Sequence, residues 1–202
     1  MRIAEWIQAT YPPPIVDIYA VAREYRRPRQ PLINLGQGIP DMMPPPECLA
    51  ALVDRLGDPA LHRYGPDQGL PELRAALADD YRRRLGVRLD PEREILITAG
   101  ANHGFVLALM ATVQPGERVV LGAPYYFNHL MALQLLGMTG VEWPLVVRDD
   151  RYVLDLEGLA PRLAAGAAGV VCVNPNNPTG AVFGAADIGG VALFSPVMEI
   201  YD

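Results

Sequence analysis

No lysine occurs anywhere in the 202 residues: all 17 basic residues are arginine. A guanidinium keeps its proton at physiological pH, so no side chain here can act as an amine nucleophile or a lysine-type base. Cysteine is nearly as scarce. Cys48 and Cys172 stand far apart and supply neither a disulfide framework nor zinc-ligand spacing. Cys172 falls in the apolar run Val170-Val171-Cys172-Val173 and reads as a buried strand residue. No apolar stretch approaches the roughly 20 residues that a bilayer-spanning helix needs. The start, Met1-Arg2-Ile3-Ala4-Glu5-Trp6, lacks the basic-then-apolar pattern of a secretory leader. A cytoplasmic protein with no membrane partner is the expectation. Positive charge is also in deficit, with a formal net charge of -6. Nucleic acid is therefore not an expected partner, because phosphate backbones require a basic face. The one basic cluster, Arg82-Arg83-Arg84, follows Asp79 and Asp80 and reads as a solvated helix face.

Apolar residues are plentiful. They make up 50% of the chain against 20% charged, enough for a buried core. The length suits one domain or one and a fraction. Apolar spacing predicts helices over Ile15–Tyr25, Glu47–Leu56, Pro71–Leu85, Ala101–Thr112, Asn128–Leu136 and Leu154–Ala165. Between them, short apolar runs predict strands at Ile33–Leu35, Ile95–Thr98, Arg118–Leu121, Val141–Val147 and Val170–Val173. Strands alternating with helices imply an α/β fold whose mostly parallel sheet is covered on both faces.

Ligands of such sheets bind beyond the carboxyl ends of the strands, so the residues after each strand carry the chemistry. Ala99-Gly100-Ala101-Asn102 opens a helix, and its small residues would let backbone N–H groups approach an anion. The same sequence would also serve as an ordinary strand-to-helix turn. Ala123-Pro124-Tyr125-Tyr126-Phe127 offers aromatics that either pack in the core or present a flat face to a ring. Asn174-Pro175-Asn176-Asn177-Pro178-Thr179-Gly180 is a rigid turn able to hold out an asparagine amide.

Together with Asn34-Leu35-Gly36-Gln37-Gly38-Ile39-Pro40-Asp41, with Tyr64-Gly65-Pro66 and Gly69, and with Leu73-Arg74, these loops resemble the class I/II aminotransferases. These are pyridoxal-phosphate enzymes of fold type I. The resemblance runs over about residues 15 to 183, in the family's order. It implies a partial aminotransferase large domain, a three-layer α/β/α arrangement with a mostly parallel sheet. Residues 1–45 would form an arm belonging to the small domain, and 46–202 an incomplete cofactor-binding large domain. It further implies that Gly100, Ala101 and Asn102 cradle the phosphate of pyridoxal 5'-phosphate and that Tyr126 stacks on its ring. By the same carry-over, Asn177 donates to the ring's phenolic oxygen and Gly38 lines the substrate carboxylate pocket. Tyr64 would reach across a homodimer to the partner's phosphate. The substrates would be an amino acid and a 2-oxo acid. Asn128, His103 and His129 match nothing in the pattern and read as surface or packing residues.

The resemblance also sets out what this sequence is without. Family members use a lysine that binds the cofactor covalently and moves a proton. With no lysine, covalent attachment to a side chain is impossible, and the chain is expected to be catalytically incompetent alone. Met198-Glu199-Ile200-Tyr201 overlays an Asp-Glu-x-Tyr motif, with methionine in place of the aspartate that would pair with the pyridine nitrogen. The expectation is a truncated or disrupted enzyme with exposed apolar surface and an unpaired sheet edge. Alternatives are a non-catalytic pseudoenzyme that binds pyridoxal phosphate, one half of a split enzyme, or a carbon–sulfur lyase-like relative. A nicotinamide-binding fold is disfavoured, because Asp41 stands where the fingerprint needs its third glycine.

Overall fold

A computed structural model describes residues 2–26, 29–36, 38, 39 and 41–192. Gln37, Pro40 and the Met198–Tyr201 overlay lie outside the described residues. In chain order the elements are α1 (Glu5–Ala9), α2 (Ile15–Glu24), α3 (Pro46–Arg55), α4 (Pro71–Leu85), α5 (Ala101–Thr112), β1 (Arg118–Ala123) and α6 (Phe127–Leu135). They continue with β2 (Thr139–Pro144), β3 (Val146–Arg148), β4 (Arg151–Val153), α7 (Leu156–Ala164), β5 (Gly169–Val171) and α8 (Ala185–Ala192). A short 3-10 turn, Pro59–His62, separates α3 from α4. The chain forms two compact units. One gathers the described residues of Met1–Pro14 and Ala99–Asp202, and the other is Ile15–Thr98.

The first unit is built on a parallel sheet in the order β2-β1-β5. Val120 pairs with Val141 on one side and with Val170 on the other, and Leu121 pairs with Val171. Successive strand residues point to opposite faces, so a strand covered on both sides must be apolar at every position. β1 meets that demand with Val119, Val120 and Leu121, all buried. Val119 and Leu121 join Phe105, Leu109, Ala132, Leu133 and Met138 beneath α5 and α6. Val120 faces the other way, into Trp143, Leu145, Leu154, Leu159, Phe183 and Val191 beneath α7 and α8. The result is helix, sheet, helix, the three-layer large-domain architecture. Burying each Leu or Val side chain contributes about 1.5–3 kcal/mol, and β1 draws on both layers. Trp143 is fully buried, and its one polar atom is satisfied: Nε1 donates to the Asp155 carbonyl at 2.7 Å.

Two differences from the sequence-based expectation concern strands. The run Val141–Val147 is divided: β2 stops at Pro144, and Val146 begins an antiparallel hairpin with β4. Asp149 (φ 49°) and Asp150 (φ 58°) form its two-residue turn, and two successive positive φ values are what a type I′ turn needs. Ile95–Thr98 and Ile33–Leu35 form no ladder, although Ile97 N–H donates to the Gln68 carbonyl at 3.0 Å.

The second unit comprises α2, α3 and α4 with their connections. α4 matches its predicted span because its ends are written in sequence: Pro71 at the first turn and Gly86 just past the end, at φ +71°. The Arg82–Asp79 pair is exposed on this helix, and Arg84 reaches from solvent to the half-buried Asp80, both at 2.8 Å. Among the described residues of this unit only Arg74 is buried, at 3% exposure. Its Nε donates to the Gly69 carbonyl at 3.2 Å, another nitrogen donates to the Pro91 carbonyl, and Nη2 meets Glu92 Oε2 at 3.3 Å. One guanidinium thus ties the loop before α4 to the turn after it.

Candidate functional site

In the sheet-bearing unit, three segments lie at the carboxyl end of the parallel strands. β1 and β5 are adjacent and parallel, so the segments following Ala123 and Val171 leave from the same end. α5 runs into β1 through a short turn and lies back against it, which brings its first residues to that end too. A chain of ring contacts ties α5 to the segment after β1. Phe105, one turn into α5, lies 4.4 Å from the His129 ring, and His129 lies 5.4 Å from Tyr126.

Gly100 is the N-cap of α5 at φ +82°, a conformation that glycine adopts without strain, and it carries no capping side chain. The N–H groups of Ala101 and Asn102, in the first turn, have no helical carbonyl behind them and face outward at the positive end of the helix. His103, to which the sequence assigned no role, closes the turn locally, its Nδ1 accepting the Ala99 N–H at 3.3 Å.

Tyr126 is half-buried and is the N-cap of α6. Phe127 and His129 meet its ring edge-on, at 5.1 Å and 5.4 Å. Asn128 Nδ2 donates to its phenol oxygen at 2.6 Å. Burial lowers the pKa of His129 to about 4, so its ring is neutral at physiological pH.

The turn after β5 sorts its three asparagines. Asn174 clasps Phe183, accepting its N–H at 2.8 Å through Oδ1 and donating to its carbonyl at 3.3 Å. Asn176 is buried, and its Oδ1 accepts from the Thr179 hydroxyl at 2.7 Å and the Thr179 N–H at 3.3 Å. Asn177 is exposed, and its side chain has no hydrogen bond to the described residues. Cys172, beside this turn, is half-buried and lies just past β5. Burial first, then the nearby Asp187, push its thiol up to about 11, which makes it unreactive.

Gly38 and Tyr64 belong to the other unit. Both are exposed, and a side chain at Gly38 would meet nothing within 4 Å. The loop from Tyr64 to Gly69 is closed by the Gly69 N–H donating to the Pro66 carbonyl at 2.9 Å. Gly69 has φ +93°, and a Cβ there would lie 2.4 Å from Ile97. Among the described residues no group of three histidine, cysteine or acidic side chains could hold a metal, and no helix is long and apolar enough to cross a membrane.

The side chains and helix start at this end of the sheet can be compared with the chemistry of an anionic, planar group. Bare N–H groups at a helix start suit a phosphate, a half-buried tyrosine suits a ring, and a free amide suits a ring oxygen. These residues fit pyridoxal phosphate.

The family model for class I and II aminotransferases matches residues 30–196. Transaminase BacF of Bacillus subtilis is 32% identical over 184 residues, covering 91% of this chain and 46% of that protein. An LL-diaminopimelate aminotransferase of Dehalococcoides mccartyi is 33% identical over 196 residues, covering 96% and 50%. The solved structure of N-succinyldiaminopimelate aminotransferase from Mycobacterium tuberculosis superimposes with a TM-score of 0.85 at 30% identity, covering 96% of this chain and 49% of that one. The chain spans about half the length of the curated relatives it matches. Members of this family generally use pyridoxal phosphate, and the chain belongs to the class I and II aminotransferases.

Proposed function

We propose that this chain carries the phosphate- and ring-binding loops of an aminotransferase that moves an amino group from an amino acid to a 2-oxo acid. When bound, pyridoxal phosphate supplies an electron-withdrawing ring that takes up electron density from the substrate's α-carbon. The N–H groups around Gly100, Ala101 and Asn102 hold the phosphate. Tyr126 covers one face of the ring and excludes water from it. Asn177 donates to the ring's phenolic oxygen. In the second unit, Gly38 lines the substrate carboxylate pocket, and Tyr64 serves the partner's phosphate in a homodimer. Residues 1–45 act as the small-domain arm, and 46–202 as part of the large domain. Lacking lysine, the chain holds the cofactor without a covalent bond to a side chain and does not by itself catalyse transfer.

The observation that carries this reading is the division of labour in the last loop. Asn174 and Asn176 are committed to the turn, and Asn177, in the loop that leaves the same end of the parallel sheet as Tyr126, has no side-chain hydrogen bond to the described residues. The test is a pyridoxal phosphate titration followed by absorbance, before and after borohydride. Saturable binding that Asn177→Ala weakens, with no side-chain adduct fixed by borohydride, supports the proposal. Absence of saturable binding overturns it.

A further inference from the structure

We propose that Asn128 is a positioning residue that sets the Tyr126 ring for stacking on a planar ligand. The inference rests on the cofactor reading above and assigns a role to a residue outside it.

Asn128 is the second residue of α6, and Tyr126 is that helix's N-cap. Asparagine in a first turn ordinarily spends its side chain on nearby backbone groups, because the helix start leaves N–H donors free. Here it does not. α6 has no side-chain cap, and the Asn128 amide donates instead to the Tyr126 phenol oxygen at 2.6 Å. The N-cap, Tyr126, has no side-chain capping bond, and its phenol oxygen is instead held by the Asn128 amide.

The backbone of Tyr126 is already secured, since its carbonyl accepts the His129 N–H at 3.0 Å. Its ring could still turn about two side-chain torsions. Phe127 and His129 confine the ring by edge contacts, which restrain tilt and leave its far end unheld. Asn128 holds that end. The stacking face is then set before a ligand arrives, and binding does not have to order it. Because the phenol oxygen accepts this bond, its own proton stays available as a donor on the other side.

A double-mutant cycle on the intact chain tests this, reading pyridoxal phosphate affinity by absorbance titration and the circular dichroism induced in the ligand's band. Asn128→Ala is expected to weaken binding about three- to tenfold, the range of one lost hydrogen bond. It should also reduce the induced signal, with far-UV dichroism unchanged. Tyr126→Phe should do the same. The two together should be no weaker than Tyr126→Phe alone, because Asn128 acts only through the phenol. Asn128→Ser, too short to reach, replaces the alanine variant if that one does not fold. Additive losses, or undiminished affinity in Asn128→Ala and Asn128→Ser, overturn the inference and leave the cofactor reading intact. No binding by the unsubstituted chain overturns both.

Discussion

His129 packs its ring against Phe105 at 4.4 Å, and its Nδ1 is buried without a hydrogen-bond partner among the described residues. The imidazole is thereby kept neutral, with its pKa lowered from 6.5 to about 4 by burial. The sign of the consequence is fixed. Between those values the unfolded chain binds the proton and the folded one does not, so stability rises with pH across that window. Acidification from pH 7 toward pH 4 should cost up to about 3 kcal/mol through this group, at about 1.4 kcal/mol per pH unit. Urea midpoints measured from pH 4 to pH 7 should show this slope, and His129→Phe should flatten it.

Gly69 and Gly86 both have positive φ, but only Gly69 is crowded. A Cβ at Gly69 would stand 2.4 Å from Ile97 Cγ1 and 2.5 Å from Ile97 Cβ, whereas at Gly86 nothing lies within 4 Å. Gly86→Ala should cost only the left-handed conformation, about 1–2 kcal/mol. Gly69→Ala adds the clash and should cost about 3 kcal/mol or more. Thermal melts of the two variants give the comparison, and equal losses would contradict it.

Asn174 and Asn177 separate stability from binding. Asn174→Ala leaves both backbone groups of Phe183 without their side-chain partner and should destabilise by about 1–3 kcal/mol. Asn177→Ala removes no bond to the described residues and should change stability by less than about 0.5 kcal/mol. Its effect should fall on cofactor affinity. Chemical denaturation and a ligand titration on each variant resolve the two roles.

The β3–β4 hairpin can be improved. Asp149 and Asp150 occupy left-handed positions that asparagine and glycine fill at lower cost, and Arg148 faces Arg151 across the ladder. Asp149→Asn with Asp150→Gly should raise stability by about 0.5–1 kcal/mol, and Arg151→Glu by a few tenths more. Calorimetry on the combined variant should show a higher Tm.

The elements best read from sequence are those whose ends are spelled by residue chemistry. α4 lies between Pro71 and Gly86, α5 starts after Gly100, and β1 is apolar at each of three central positions. The hairpin is hidden in the sequence because its turn is Asp149-Asp150, not the Asn-Gly pair that announces such turns, and because β2 and β3 read as one apolar run. Ile95–Thr98 has strand-like residues, but composition cannot say whether a ladder partner exists. In the candidate site, loop identity is legible and the work of single residues is not. Asn174, Asn176 and Asn177 are the same residue type in one turn, and only their hydrogen bonds tell them apart. His103 bonding back to Ala99, and Asn128 to Tyr126, likewise leave no mark on hydrophobic spacing.

In the unit Ile15–Thr98 the one buried side chain among the described residues is an arginine. Order there comes from directed bonds to Gly69, Pro91 and Glu92, with little apolar surface withdrawn from water; Leu52, Val53 and Leu56 of α3 and its end all remain exposed. Unfolding changes heat capacity in proportion to the apolar area newly wetted. The amides of α2 and α3 should therefore exchange with solvent deuterium through shallow local openings, while those of β1 wait for the whole sheet to come apart.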